Sequence, residues 1–198
     1  NYIENNYGND ISTLHKTFEP VDESRIQYLI KNNLLSDLNY VLEIGPGAGT
    51  MMKKLKNKGI DVIGIEPDTN AANWLKKNVN DKIYNGFFDE IYSNNINKWS
   101  KEQFDAVIIF HVLEHIHDPI KFLLKIKKIL KPEGKIIIEV PNIKRPYSDT
   151  NKWEDYCDPG HLYYFSFNTL NVILNQSEFE IITMTDKILN LMEISFVL

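Results

Sequence analysis

Tyr40-Val41-Leu42-Glu43-Ile44-Gly45-Pro46-Gly47-Ala48-Gly49-Thr50 decides the reading of this chain. A β-branched, apolar run enters a glycine-rich turn, and a segment of helical character opens at Thr50. Glycines at such a turn let the backbone bend sharply and approach a ligand closely. Glu66 stands 66 − 45 = 21 residues after the first glycine, at the end of the next apolar run. A carboxylate there can accept hydrogen bonds from ribose hydroxyls. The dinucleotide fingerprint G-x-G-x-x-G needs glycine at position 50, and Thr50 occupies it. Glu43 would repel a pyrophosphate at the turn and suits a cationic ligand instead, such as the amino group of a sulfonium nucleoside. No Gly-Lys-Ser/Thr follows, which removes the P-loop.

Outward from this stretch the chain alternates. Short apolar runs at 40–44, 61–65, 82–84, 104–110 and 135–140 are separated by helical patterns. One covers 50–58 and stops at Gly59, and one covers 69–79. Another opens on Asp118-Pro119, a cap and a first-turn proline, and closes at 131–134. This rhythm predicts βαβ units and a mostly parallel, doubly wound α/β sheet with helices on both faces. Runs 107–110 and 136–138 are apolar without alternation, as strands buried on both sides are. Ahead of the sheet, Ile26, Leu29, Ile30 and Leu34 predict a helix over 21–35, while residues 1–20 read as an irregular N-terminal segment. After Val140, residues 141–167 are irregular and aromatic and read as a lid. A helix over 168–175 and strand-like segments at 179–185 and 191–198 predict a C-terminal antiparallel hairpin and a count of seven strands. With no repeat and no linker-like stretch, residues 1–198 read as a single domain.

Composition narrows the function classes. Net charge is 22 − 27 = −5, the wrong sign for a generic nucleic-acid or anionic-membrane binder. Only Arg25 and Arg145 are arginine, so bidentate phosphate recognition is poorly supplied. The lone cysteine, Cys157, excludes a disulfide framework and reads as an incidental thiol. No apolar run approaches the roughly 20 residues of a membrane span, and the first ten residues lack the basic-then-apolar pattern of a signal peptide. The expectation is a soluble, cytoplasmic protein of unassigned oligomeric state that acts on a small molecule.

Glu43-Ile-Gly-Pro-Gly-Ala-Gly49, Glu66, Phe104-Asp-Ala-Val-Ile-Ile-Phe-His-Val-Leu-Glu-His115 and Leu130-Lys-Pro-Glu-Gly134 together resemble a class I S-adenosylmethionine-dependent methyltransferase. The resemblance covers roughly residues 41–142, with a looser match over 161–170, and implies a Rossmann-like fold. It also implies that Glu43, Gly45, Gly47 and Gly49 pack against the methionine portion of S-adenosyl-L-methionine and that Glu66 binds its ribose. Phe87 and Phe88 would flank the adenine, and His111, Val112 and Leu113 would line the cofactor pocket. The acid usual near the third strand is displaced here to Asp89.

His111, Glu114 and His115 stand at i, i+3 and i+4 and would share one face of a helical turn. They follow the fourth strand, on the edge where open α/β sheets bind ligands. Methyl transfer to a hydroxyl needs positioning and a proton acceptor, a role suited to His115 or His161 with Glu114 beside them. A resemblance to the ubiquinone-biosynthesis type of O-methyltransferase offers a second role, in which Glu114, His115 and His161 bind a divalent cation. His111 replaces an acid of that pattern, and no residue is assigned to a metal. The bland role for Glu114 and His115 is packing of the turn. His117 reads as a solvated turn residue and His15 carries no reading. Trp74 and Trp99, with Tyr163, Tyr164, Phe165 and Phe167, read as packing; Tyr147, Trp153 and Tyr156 read as pocket or lid. Lys121, Lys125, Lys127, Lys128 and Lys131 read as the solvated face of a helix.

The expected activity is O-methylation of a saccharide, quinone-like or secondary-metabolite acceptor, with the lid and the N-terminal segment shaping its pocket. Two alternatives stand beside it. One is a nucleoside-binding subunit that has lost transfer, which the undamaged glycine turn and Glu66 argue against. The other is an NAD(P)-dependent oxidoreductase, disfavoured by Thr50 and Glu43.

Overall fold

A computed structural model describes residues 11–100, 103–143 and 160–185, together with the backbone of 193–197. Five strands form a parallel sheet: β1 (Tyr40–Ile44), β2 (Asp61–Glu66), β3 (Ile83–Asn85), β4 (Phe104–Phe110) and β5 (Leu130–Pro141). Their order is β3-β2-β1-β4-β5. Val41 pairs with Val62 on one side and with Ala106 on the other, so β1 is central. Strand order reverses between β1 and β4, and the segments that leave these two strands flank the crevice where ligands enter such sheets.

Helices cover both faces, as the lack of alternation in the strands requires. On one face Leu42, Ile44, Ile63, Ile65, Val107, Ile109, Ile136 and Ile138 pack beneath Tyr92, Trp99, Phe122, Ile126 and Leu170. On the other, Val41, Val62, Ala106, Ile108 and Ile137 meet Ile26, Leu29, Met52, Leu55 and Leu75. The helices are α1 (Ile11–Lys31), α2 (Thr50–Asn57), α3 (Thr69–Asn78), α4 (Phe88–Trp99), α5 (Pro119–Lys127) and α6 (Phe167–Gln176). Beyond β5 the backbone carries short strands β6 (Thr183–Thr185) and β7 (Glu193–Val197), β7 antiparallel to both β5 and β6. No helix among the described residues is long and apolar enough to cross a membrane.

Several expectations need correction. Helix α1 starts ten residues earlier than its apolar pattern suggested, so residues 11–20 are not irregular. Ile11 and Leu14 are buried against Ala48 and Ala71, and this packing outweighs the cost of Pro20 inside the helix. The helix also stops sooner, at Lys31. Asn33 takes φ 56°, Asn33 N–H donates to Ile30 O, and Leu34 N–H donates to Leu29 O. That is a Schellman ending with asparagine in place of glycine, and Leu34 is its buried apolar plug. Helix α5 ends at Lys127 rather than reaching 131–134, because residue 130 already pairs with Phe104. The register then jumps to Ala106 opposite Lys135, so 131–134 loops out within β5.

Helix α4 went unforeseen. Phe88, Ile91, Tyr92, Ile96 and Trp99 recur at helical spacing, but asparagines between them dilute the signal. The Lys-rich face of α5 is solvated and paired: Lys121 with Asp118, Lys125 with Asp89, Lys127 with Glu178. Trp99 closes one core, edge-on to Tyr84 and Phe104, and its indole N–H has no partner among the described residues. Trp99→Ala should therefore lower unfolding free energy by about 3–5 kcal/mol in urea denaturation. Trp99→Phe, which removes no satisfied hydrogen bond, should cost clearly less.

Candidate functional site

The turn after β1 holds its shape through three left-handed glycines, Gly45 (φ 72°), Gly47 (φ 52°) and Gly49 (φ 71°). A Cβ on Gly49 would lie 2.3 Å from Leu75 Cδ2, and one on Gly45 would lie 2.7 Å from Val112 Cγ2. The turn is therefore pressed between α3 and the segment leaving β4. Glu66 hooks it from β2: one carboxylate oxygen accepts the Gly47 N–H at 3.0 Å and the other the Asp68 N–H at 2.9 Å. Burial raises the Glu66 carboxyl to about 7, against the pull of these two amides.

Glu43 is only 4% exposed, and its Oε2 has no hydrogen-bond partner among the described residues. Burial, reinforced by Asp22 and opposed by Arg25, raises it to about 8. Arg25 and its partners are functional neighbours that the sequence reading missed. Arg25 Nε donates to Glu139 Oε2 at 3.0 Å, its Nη2 pairs with Glu139 Oε1, and its Nη1 meets Asp22 at 2.7 Å. The guanidinium also lies 4.5 Å from the centre of the Phe110 ring. Asp22 takes the Thr50 hydroxyl, which ties α1 to the helix that follows the glycine turn. A lone charge inside the run Ile136-Ile137-Ile138-Glu139-Val140 was the available signal for Glu139. His15 also gains a place: its Nδ1 donates to Ala48 O at 2.8 Å, above the turn.

Past β4 the chain enters the short 3-10 turn Leu113–His115, after His111 takes φ 53°. His111 Nδ1 lies 3.4 Å from Glu114 Oε1 and its Nε2 3.3 Å from Glu139 Oε1, both carboxylates being fully buried. The Glu114 carbonyl accepts the N–H groups of Leu162 and Tyr163, which staples the returning segment to this turn. His115 Nδ1 donates to Gly160 O at 2.8 Å, so the neutral ring keeps its acceptor at Nε2. The rings of His115 and His161 meet edge to face at 4.8 Å, and His161 Nε2 lies 4.0 Å from Glu114 Oε1. Glu114, His115 and His161, which span 161 − 114 = 47 positions, each offer a ligand atom within 4.8 Å of the others.

Two expected pocket residues sit elsewhere. Phe88 is buried in the core, its ring against Tyr92 and Phe122, because α4 starts there and turns it inward. Its neighbour Phe87 is 73% exposed and remains open to a flat ligand. Leu113 is also core, whereas Val112 touches the glycine turn. His117 is exposed, with its carbonyl taking the Tyr163 hydroxyl. Of the aromatic stretch, Phe165 is buried and Tyr163 is partly exposed. The expectations for Tyr147, Trp153, Tyr156 and Cys157 lie outside the described residues.

The raised carboxyls set a pH dependence. A carboxyl protonated more readily when folded than unfolded contributes most below its unfolded value, and that contribution is lost as pH rises through its folded value. Stability should fall between about pH 4.5 and 8 on account of Glu43 and Glu66. Glu43→Gln should shrink that fall in urea midpoints taken at pH 5 and pH 8.5. Gly49→Ala, strained in φ and clashing with Leu75, should lower the midpoint by an amount worth about 1–3 kcal/mol.

The chain is 26% identical over 147 residues to a ubiquinone biosynthesis O-methyltransferase of Rickettsia bellii, covering 69% of this chain and 56% of that protein. It is 30% identical over 119 residues to a mitochondrial ubiquinone biosynthesis O-methyltransferase of Dictyostelium discoideum, covering 54% and 36%. This chain thus spans about half the Rickettsia relative's length and less of the other. The fold superposes on a SAM-dependent methyltransferase from Archaeoglobus fulgidus with a TM-score of 0.67 at 18% identity, over 99% of this chain and 96% of that one. A family model described as a methyltransferase domain matches residues 13–184, from within α1 to β6. With both the glycine turn and the β4 turn inside that match, the chain belongs to the methyltransferase domain family.

Proposed function

We propose that the chain is an S-adenosylmethionine-dependent methyltransferase acting on the hydroxyl of a small-molecule acceptor. The observation that carries this reading is the pair of buried acids, Glu43 and Glu66, on either side of a left-handed glycine turn. Such a turn accommodates a nucleoside, and two carboxyls beside it favour a cationic ligand over a pyrophosphate. Glu66 would take the ribose, and Glu43 with Gly45, Gly47 and Gly49 the methionine portion. Phe87 would cover the adenine, and His111 with Val112 would form the wall towards the acceptor. Phe88 and Leu113 belong to the core beneath.

When bound, the sulfonium supplies an activated methyl group. The chain has to hold the acceptor in line and receive its hydroxyl proton. His115 suits the second task, since its Nδ1 is engaged with Gly160 O and Nε2 is the basic nitrogen. His161 is the other candidate base, and the Glu114 carboxylate lies beside it, with Oε1 4.0 Å from its Nε2. A specific observation favours a second arm: Glu114, His115 and His161 cluster closely enough to hold a divalent cation, which would polarise a hydroxyl. The acidic balance and the acid-paired lysines support a saccharide, quinone-like or secondary-metabolite acceptor rather than nucleic acid. The same reading takes residues 1–198 as one domain in the cytoplasm, with seven strands ending in an antiparallel hairpin; most of the expected lid, residues 144–159, lies outside the described residues.

Titration calorimetry tests the cofactor. S-adenosylmethionine and S-adenosylhomocysteine should bind in the micromolar range, NADH should not, and Glu66→Ala should weaken both nucleosides at least about tenfold. Preferential NADH binding would sink the proposal. With an acceptor in hand, His161→Ala should lower kcat more than it raises KM for the donor, and added Mg²⁺ separates the base from the cation arm.

A further inference from the structure

We propose that Glu43 is a proton-linked charge selector: neutral in the empty pocket, it ionises against the ammonium group of the incoming ligand, so that each binding event releases a proton to solvent. The inference rests on the site being a pocket for an amino-acid-bearing nucleoside, as read above. Its support is a count of hydrogen-bond donors around buried carboxyls.

Among the described residues, the charged groups acting on Glu43 are Asp22 and Arg25 on α1 and Glu66 on β2. Its partners across the sheet, Gly64 and Ile108, bring no charge. Arg25 is the buried cation of the group, and its donors go to Glu139 and Asp22. The second oxygen of Asp22 takes the Thr50 hydroxyl. Both oxygens of Glu66 are held by backbone amides. Glu43 is left with a buried Oε2 that no donor reaches. An ionised carboxylate buried without a donor is costly, so the group keeps its proton until a donor arrives. An ammonium group beside it supplies both the N–H donors and the opposite charge. The carboxyl O–H bond then breaks, its proton passes to water or buffer, and the carboxylate charge balances that of the ammonium group. A ligand that carries the nucleoside without the amino-acid portion gives Glu43 no reason to ionise.

Calorimetry in two buffers of different ionisation enthalpy, phosphate and Tris, counts the protons. The probes are S-adenosylhomocysteine and 5′-methylthioadenosine, which lacks the amino-acid portion. Both carry the ribose, so any contribution of Glu66 cancels between them. At pH 7 S-adenosylhomocysteine should release about one proton more than methylthioadenosine, falling to about half of that at pH 8. Glu43→Gln should abolish the difference and weaken S-adenosylhomocysteine about tenfold, while changing methylthioadenosine less than about threefold. Equal release by the two ligands on the unaltered protein, or a difference that survives Glu43→Gln, would overturn the selector while leaving the methyltransferase reading in place. Failure of both nucleosides to bind would overturn the two together.

Discussion

Arg25 joins two elements that are far apart in the chain, and the crevice depends on that junction. Its guanidinium binds both oxygens of Glu139 at the end of β5 and one oxygen of Asp22, all out of water. Through Asp22 the same network reaches Thr50, the first residue of α2. Through Glu139 it reaches His111, which leaves β4. Helix α1 is thus tied to both walls of the crevice by ionic contacts rather than by apolar packing alone. Such a junction is specific because it is unforgiving. Removing one partner of a buried pair typically costs about 3–5 kcal/mol, since the remaining charge has nowhere to go.

How far the sequence disclosed all this depends on which interactions were local. The parallel sheet was legible because strands buried on both faces carry apolar runs without alternation, as 107–110 and 136–138 do. Caps were legible too: Asp118 accepts the Lys121 N–H as its position before Pro119 predicts. Helix α4 was obscured because its apolar residues are interleaved with Asn94, Asn95 and Asn97, poor helix formers overruled by burial of Ile91, Tyr92 and Trp99. The early start of α1 was hidden by Pro20, and only its packing on Ala48 and Ala71 explains it.

The site divided along the same line. Glu43, the glycines and Glu66 sit within one βαβ unit, so their spacing carried their geometry. Arg25 with Glu139 are 114 residues apart, and only the fold brings them together. His161 is intermediate. Its approach to His115 depends on the Glu114 carbonyl receiving two N–H groups from the returning chain, a main-chain contact with no side-chain signature. The error at Phe88 is of the same kind: two adjacent phenylalanines look alike in sequence, and the start of α4 sends one into the core and leaves the other outside.

Electrostatics then gives the crevice its character. Asp22, Glu43, Glu66, Glu114 and Glu139 are all buried, and Arg25 is the one buried arginine or lysine among the described residues. The carboxyls differ in what holds them. Glu139 and Asp22 have the guanidinium, Glu66 has two amides, and His111 stands between Glu114 and Glu139. Glu43 is pushed furthest towards neutrality among the groups with a resolved value, and its Oε2, like both oxygens of Glu114, meets no hydrogen-bond donor among the described residues. A ligand that brings positive charge to the glycine turn therefore meets a site that gains from its arrival, whereas a phosphate meets one that loses. The discrimination is set by the backbone, which buries Glu43 two residues before the first left-handed glycine, Gly45, where a Cβ would lie 2.7 Å from Val112.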